Sequence, residues 1–278
     1  MNSLLLNIHS PAHQAVTQWV RLAEAQHSMR ILFAGTFGSR PMGMATSLSD
    51  DDVFAVHAEP ETPRLMLTLE DGQGRQCDLV SWHIAAVSAM RPPVTGYPSY
   101  DVRSDEQRAA RKHLAPVVEP ENHVTELLLC QQVWDDRGHL RRQWPMFRRT
   151  HLNTLNVLDL LYAKGRGLLD HYLLGPAIPM RRYLNAVHRV LGMRWILERN
   201  GVPPIDFEVL LRTCDDEAVK RASLTLLQTY RDSGKDKSTA MVGPESVLHT
   251  YLARQLDELA ASIRSLCITC RERSLDVD

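Results

Sequence analysis

The pattern of apolar and polar positions divides the chain into a β-rich first third and a helical remainder. From Pro11 to Ser28, apolar residues at Val16, Trp19, Val20, Leu22 and Ala23 recur at helical spacing, which predicts one amphipathic helix. Ile31 to Ala34 is a short apolar run that leads into Gly35 and Gly38, the pattern of a buried strand entering a turn. Val53, Phe54 and Val56 predict a second strand over Asp52 to His57. Arg64 to Leu69 and Arg75 to Val80 flank the turn-rich stretch Glu70-Asp71-Gly72-Gln73-Gly74, so they read as a hairpin. Helical spacing resumes from Trp82 to Met90, and three prolines and a glycine between Arg91 and Tyr100 predict an irregular connection. Beyond Arg103 the pattern is helical: Asp105 to Leu114, His123 to Gln132, Phe147 to Leu169, Met180 to Asn200, Ile205 to Thr213, Asp216 to Asp232 and Pro244 to Leu266. Ser233 to Thr239 is polar and contains a glycine, as expected of an exposed loop before the last helix. The expected architecture is α+β in two domains: a small mixed β-sheet core over residues 1–100 and a helical bundle over 101–278.

Composition supports a folded chain. Of 278 residues, 44% are hydrophobic and 23% charged, enough to bury a substantial core. Lys plus Arg number 32 against 33 for Asp plus Glu, so net charge supplies no general attraction to nucleic acid and any such binding needs a local basic patch. The densest candidate is Arg141-Arg142-Gln143-Trp144 with Arg148, Arg149 and His151, which reads equally as a solvated helix face. Five cysteines, an odd number in a chain too long to need staples, point to a reducing cytoplasm. Cys267 and Cys270 form a lone CxxC without a second pair at zinc spacing, and helical packing is the simpler role. Met1 to Ile8 lacks a basic leader and a cleavage site, so a signal peptide is not expected. No window approaches the roughly 20 apolar residues of a membrane span.

The chemistry concentrates between Gly35 and Val53. A Gly38-Ser39 turn after a buried strand lets backbone amides and a hydroxyl approach a phosphate without obstruction by a β-carbon. Downstream, Asp50 and Asp52 are separated by one residue at the start of a strand, so their side chains leave the same face about 7 Å apart. Two such carboxylates suit a hard divalent cation that completes its shell with water and phosphate oxygens. Asp78, the one acidic residue inside the second hairpin arm, is the candidate third ligand and general base. The same residue also suits a cap for the helix expected after it.

The Gly-Ser turn, the Asp-x-Asp strand and the later strand aspartate together resemble the DNA polymerase beta nucleotidyltransferase superfamily. More narrowly, Gly38-Ser39-Arg40 continuing to Gly43-Met44-Ala45 and Ser49-Asp50-Asp51-Asp52-Val53 is similar to the RlaP (YcgL-type) nucleotidyltransferases. So is Cys77-Asp78-Leu79-Val80-Ser81-Trp82, and so are Arg181-Arg182-Tyr183, Arg194-Trp195-Ile196 and Pro203-Pro204-Ile205-Asp206-Phe207-Glu208-Val209-Leu210-Leu211 in the helical part. The resemblance implies transfer of a nucleoside monophosphate from an NTP to an acceptor hydroxyl with release of pyrophosphate. Asp50, Asp52 and Asp78 would hold Mg²⁺ or Mn²⁺ and carry the catalysis. Gly38, Ser39 and Arg40 would contact nucleotide phosphates, joined by Arg181 and Arg182 as a triphosphate clamp. It also implies a place in RNA repair, with an RNA end, a small molecule or a protein hydroxyl open as acceptor. The chain departs from the pattern at Asp51, where a hydrophobic residue is usual, and at Arg181-Arg182 and His188-Arg189-Val190, where Lys-Lys and Arg-Pro are usual. Two other readings remain: a catalytically silent nucleotide-binding regulator, and a HEPN-like ribonuclease acting through Arg182 and His188.

Overall fold

A computed structural model describes residues 11–59, 64–84, 129–130, 133–135, 154–199, 201–233 and 240–275. The helices expected at 105–114 and 123–132 and the basic cluster from Arg141 to His151 fall largely or wholly outside these residues, as do the Cys267 and Cys270 side chains. Helix α1 (Pro11–His27) is followed by strands β1 (Ile31–Phe37), β2 (Asp51–His57), β3 (Arg64–Glu70), β4 (Gln76–His83) and the short β5 (Val133–Asp135). Then come α2 (Thr154–Tyr172), β6 (Ile178–Pro179), α3 (Met180–Arg199), α4 (Phe207–Leu211), α5 (Glu217–Asp232), β7 (Met241–Val242) and α6 (Ser246–Leu275). The fold is α+β, with a mixed sheet followed by helices.

The main sheet runs β3-β4-β2-β1-β5. Its centre decides the site. The β3–β4 hairpin turns back so that β4 lies between β3 and β2, parallel to β2, with Asp52 opposite Asp78 in the ladder. Asp71 shapes the hairpin turn: its carboxylate accepts from the Gln73 and Arg75 amides at 2.9 Å each and from Arg75 Nε at 2.7 Å. β5, from beyond residue 100, completes the sheet beside β1. The helix expected over Trp82 to Met90 does not begin at Trp82, because Trp82 and His83 continue β4, and its residues 85–90 lie outside the described residues. The period-2 alternation of that strand carries Trp82 to within 5.4 Å of the Phe54 ring and buries it.

Two cores follow from the sequence pattern. One face of the sheet, with Val53, Ala55, Cys77 and Leu79, packs on the α1 stripe of Val16, Trp19, Val20 and Ala23. Each Val-sized side chain so covered contributes roughly 1.5–3 kcal/mol. The second core is built by α2, α3, α5 and α6 with Phe207, Leu210 and Leu211 of α4, and it also takes in Met42 and Met44 from the turn after β1. Asp206 and Asp216 cap α4 and α5 by accepting from backbone amides two or three residues on. Cys77, Cys130 and Cys214 are buried, and Cys77 and Cys214 are free thiols. Among the described residues no helix is long and apolar enough to cross a membrane.

His188 sits in this second core. Its ring is 5% exposed, lies beside Phe207 and shares a 2.8 Å hydrogen bond through Nε2 with the Ile205 carbonyl. Burial, reinforced by the neighbouring Arg189 charge, pushes the imidazole down to about 3 from the ordinary 6.5. Between those values the unfolded chain holds a proton that the folded chain does not, so this histidine's contribution is complete above pH 6.5 and is lost as the pH falls toward 3. Urea unfolding at pH 7, 6 and 5 should therefore show His188→Gln with a flatter pH dependence than the wild type, by up to about 1.4 kcal/mol per pH unit. Parallel slopes for the two proteins would show that the ring is not kept neutral by the fold.

Candidate active site

Asp50, Asp52 and Asp78 converge. One carboxylate oxygen from each lies within 4.8 Å of the others, on the sheet face away from α1. The arrangement follows from strand period and register: Asp50 and Asp52 are two residues apart and share a face, and the parallel β2–β4 pairing sets Asp78 directly beside Asp52. Thr68, opposite Asp78 on β3, donates its hydroxyl to Asp78 Oδ1 at 3.0 Å and fixes that carboxylate from the far side. None of the three aspartates is fully buried, which leaves room for water or substrate oxygens. Three carboxylates so close repel one another, and an all-oxygen donor set of this size fits a hard divalent cation. Directly behind them, burial and the four charges of Asp51, Asp52, Asp78 and Asp50 push the Cys77 thiol far up, so it is an inert packing group.

Asp51 points the other way. Its carboxylate accepts the Trp19 indole N–H of α1 at 2.7 Å and pairs with Arg40 Nε at 2.5 Å. The Asp-Asp-Asp run is thus split by the pleat, with the outer two at the site and the middle one tying α1 and the turn to the strand.

The Gly-Ser turn abuts the carboxylates. Gly38 has φ +80°, and a Cβ there would fall 1.8 Å from Asp52 Oδ2, so only glycine fits both the backbone conformation and the space. Ser39 is 2% exposed, and its hydroxyl has no hydrogen-bond partner among the described residues. A buried unpaired hydroxyl is costly, and beside a carboxylate cluster it fits a phosphate oxygen. Arg40 is engaged with Asp51 and donates to the Ser49 carbonyl, closing the loop between the turn and β2.

The match to a family model falls on the other half of the chain. Residues 137–269 match the model of the family described as "RlaP: RNA repair pathway DNA polymerase beta family". An uncharacterized protein, YcgL, of Bacillus subtilis (strain 168) is 20% identical over 255 residues, covering 91% of this chain and 88% of the relative. The crystal structure of spectinomycin adenyltransferase AAD(9) from Enterococcus faecialis, with ATP and spectinomycin, superposes with a TM-score of 0.51 at 14% identity, over 88% of this chain and 99% of that one. The chain thus resembles that family over residues 137–269 and shares the fold of the adenyltransferase.

The helical part of the chain places its notable residues variously. Arg182 lies over the Tyr172 ring at 4.1 Å, and Arg181 shares α3 with Arg189, close enough for their charges to repel. Neither belongs to the carboxylate cluster. His188, the base required by the ribonuclease reading, is instead a core histidine committed to the Ile205 carbonyl. The sequence pattern did not disclose Thr68, the Asp51–Trp19 link, or Arg231, whose guanidinium reaches the carbonyl of Gly43. Thr68 was traceable in principle, as a hydroxyl opposite the candidate base in a two-residue-period hairpin. Trp19 and Arg231 reach the site only through tertiary packing.

Proposed function

We propose that the chain is a nucleotidyltransferase that moves a nucleoside monophosphate from an NTP, ATP being the first to test, to a hydroxyl at an RNA end. The observation that carries the reading is the meeting of Asp50, Asp52 and Asp78 beside a turn that keeps the Ser39 hydroxyl buried and unpaired. The donor set fits Mg²⁺ or Mn²⁺, which when bound supplies Lewis-acid stabilisation of the charge that builds on the phosphates. Gly38 and Ser39 seat phosphate oxygens through the open backbone and the free hydroxyl. Asp78, with Oδ1 held by Thr68, presents Oδ2 to take the acceptor proton. As the acceptor oxygen bonds to the α-phosphorus, the bond to the β-phosphate bridging oxygen breaks and pyrophosphate leaves. Arg40, Arg181 and Arg182 are assigned to the outer phosphates; the tie of Arg40 to Asp51 makes its part indirect. The RNA acceptor is supported by the description of the family matched over residues 137–269. Buried free thiols suit a reducing cytoplasm.

The test is to incubate the protein with each α-labelled NTP, Mg²⁺ or Mn²⁺ and a cell extract, then to separate RNA, protein and metabolites. Label in RNA with matching pyrophosphate release is expected. Label in the protein or metabolite fraction would replace the acceptor, and NTP binding without pyrophosphate release would leave a silent regulator.

A further inference from the structure

The turn between β1 and β2 is held by the helical domain. Inside it, the Met42 amide donates to Gly38 O at 3.4 Å, the Gly43 amide to Arg40 O at 2.9 Å and the Met44 amide to Ser39 O at 2.8 Å. These bonds fold the segment tightly but leave the carbonyls of Met42 and Gly43 facing outward. Both are taken by groups more than 160 residues away. The Phe207 amide, at the start of α4, donates to Met42 O at 3.0 Å. Arg231, in the last turn of α5, donates to Gly43 O from Nε at 3.1 Å and also from its second terminal nitrogen, while the first terminal nitrogen meets Glu208 Oε1 at 2.9 Å. Gly43 has φ +70°, and a Cβ there would stand 3.4 Å from the guanidinium and 3.6 Å from Asp206 Oδ2, so the carbonyl is offered to Arg231 across a close approach. The side chains of Met42 and Met44 are buried in the helical core on either side.

We propose that Arg231 is a positioning residue for the nucleotide site, clamping the Gly38–Met44 turn so that the Ser39 hydroxyl stays buried and available to a phosphate oxygen. The inference rests on the nucleotidyltransferase reading above. A planar fork suits this task where an ammonium does not, because it serves the carbonyl and Glu208 at once in fixed geometry. The ion pair with Glu208, between side chains 33% and 42% exposed, adds little stability by itself. Its value lies in aiming the guanidinium. The arrangement also gives a physical role to Asp206-Phe207-Glu208: Asp206 caps α4 by accepting from the Val209 amide at 2.9 Å, Phe207 supplies an amide to the turn, and Glu208 orients the arginine. Asp52 and Asp78 stand on β2 and β4 and Asp50 immediately precedes β2, so the clamp acts on phosphate affinity more than on cation affinity.

Equilibrium binding of each of the four Mg·NTPs to the full-length chain, with Mn²⁺ binding in the absence of nucleotide followed by paramagnetic resonance, tests this. Arg231→Met should weaken NTP binding about 10- to 100-fold, the loss of one or two carbonyl hydrogen bonds, while Mn²⁺ affinity stays within about twofold. Arg231→Lys, which keeps one donor, should recover part of the loss. Unchanged NTP affinity in a folded Arg231→Met protein overturns the inference, and so does an equal loss of NTP and Mn²⁺ binding, which would mean collapse of the site. If Arg231→Met does not fold, Arg231→Lys and Glu208→Gln decide: wild-type NTP affinity in both overturns it, and a several-fold loss in both with Mn²⁺ retained supports it. A wild-type chain that binds no NTP removes the functional reading itself, an outcome distinct from wild-type binding that is indifferent to Arg231.

Discussion

Asp50→Asn and Asp52→Asn will each lower pyrophosphate release by about a thousandfold or more and leave the melting temperature unchanged or raised. The loss follows from removing a charge that holds the catalytic cation, whose stabilisation of the transferring phosphate amounts to several kcal/mol, at about 1.4 kcal/mol per factor of ten. Stability moves the other way because three carboxylates with oxygens within 4.8 Å repel one another in the ion-free protein. Asp51→Asn is the internal control within the same triplet. It faces α1, accepts the Trp19 indole and pairs with Arg40, so its replacement should lower the melting temperature while activity falls by less than tenfold. Pyrophosphate release assays and thermal unfolding of the three variants make the comparison. Wild-type turnover in either outer variant would remove the metal assignment.

Gly38→Ala should be the most damaging change outside the aspartates. The residue sits at φ +80°, where a β-carbon costs roughly 1–2 kcal/mol. Far worse, that carbon would fall 1.8 Å from Asp52 Oδ2, so either the carboxylate swings out of the cluster or the turn moves. The expected result is at least a hundredfold loss of activity, weakened Mn²⁺ binding and a melting temperature lower by several degrees. Gly74→Ala separates strain from collision: it has φ +74° but nothing within 4 Å of its would-be Cβ, so it should cost only the strain and leave activity intact. Equal loss of activity in both proteins would show that the contact with Asp52 is not the cause.

What could be read beforehand was local. The helix at Pro11–His27 and four strands of the sheet follow from periodicity and turn residues, and the observed bounds differ by a few residues at most. Asp50 and Asp52 were legible because a strand's two-residue repeat settles their common face without reference to anything else. Asp78 was legible as the acidic residue of its strand, but its place beside Asp52 was not. The hairpin reads as β3 then β4, and nothing in that local signal says that the second arm enters the sheet next to β2, in parallel. The helix start expected at Trp82 was misplaced because aromatic and apolar residues at 80 and 82 continue the strand alternation as well as they begin a helical stripe. The anchoring of the turn was hidden for another reason: Met42 and Met44 look like filler around a glycine, and their burial depends on helices more than a hundred residues away.

The division of the aspartate triplet between two faces also guards the pairing of the central strands. A slip of one residue between β2 and β4 would set Asp51 next to Asp78, deprive the Trp19 indole of its acceptor, and drive Asp50 and Asp52 against the apolar side chains of α1. The misaligned sheet would bury two anions without counter-charge and expose valine and alanine in their stead. The acidity that equips this strand for chemistry thereby makes any neighbouring alignment prohibitively unfavourable, so a single run of three residues encodes both a reaction centre and its own proofreading during folding.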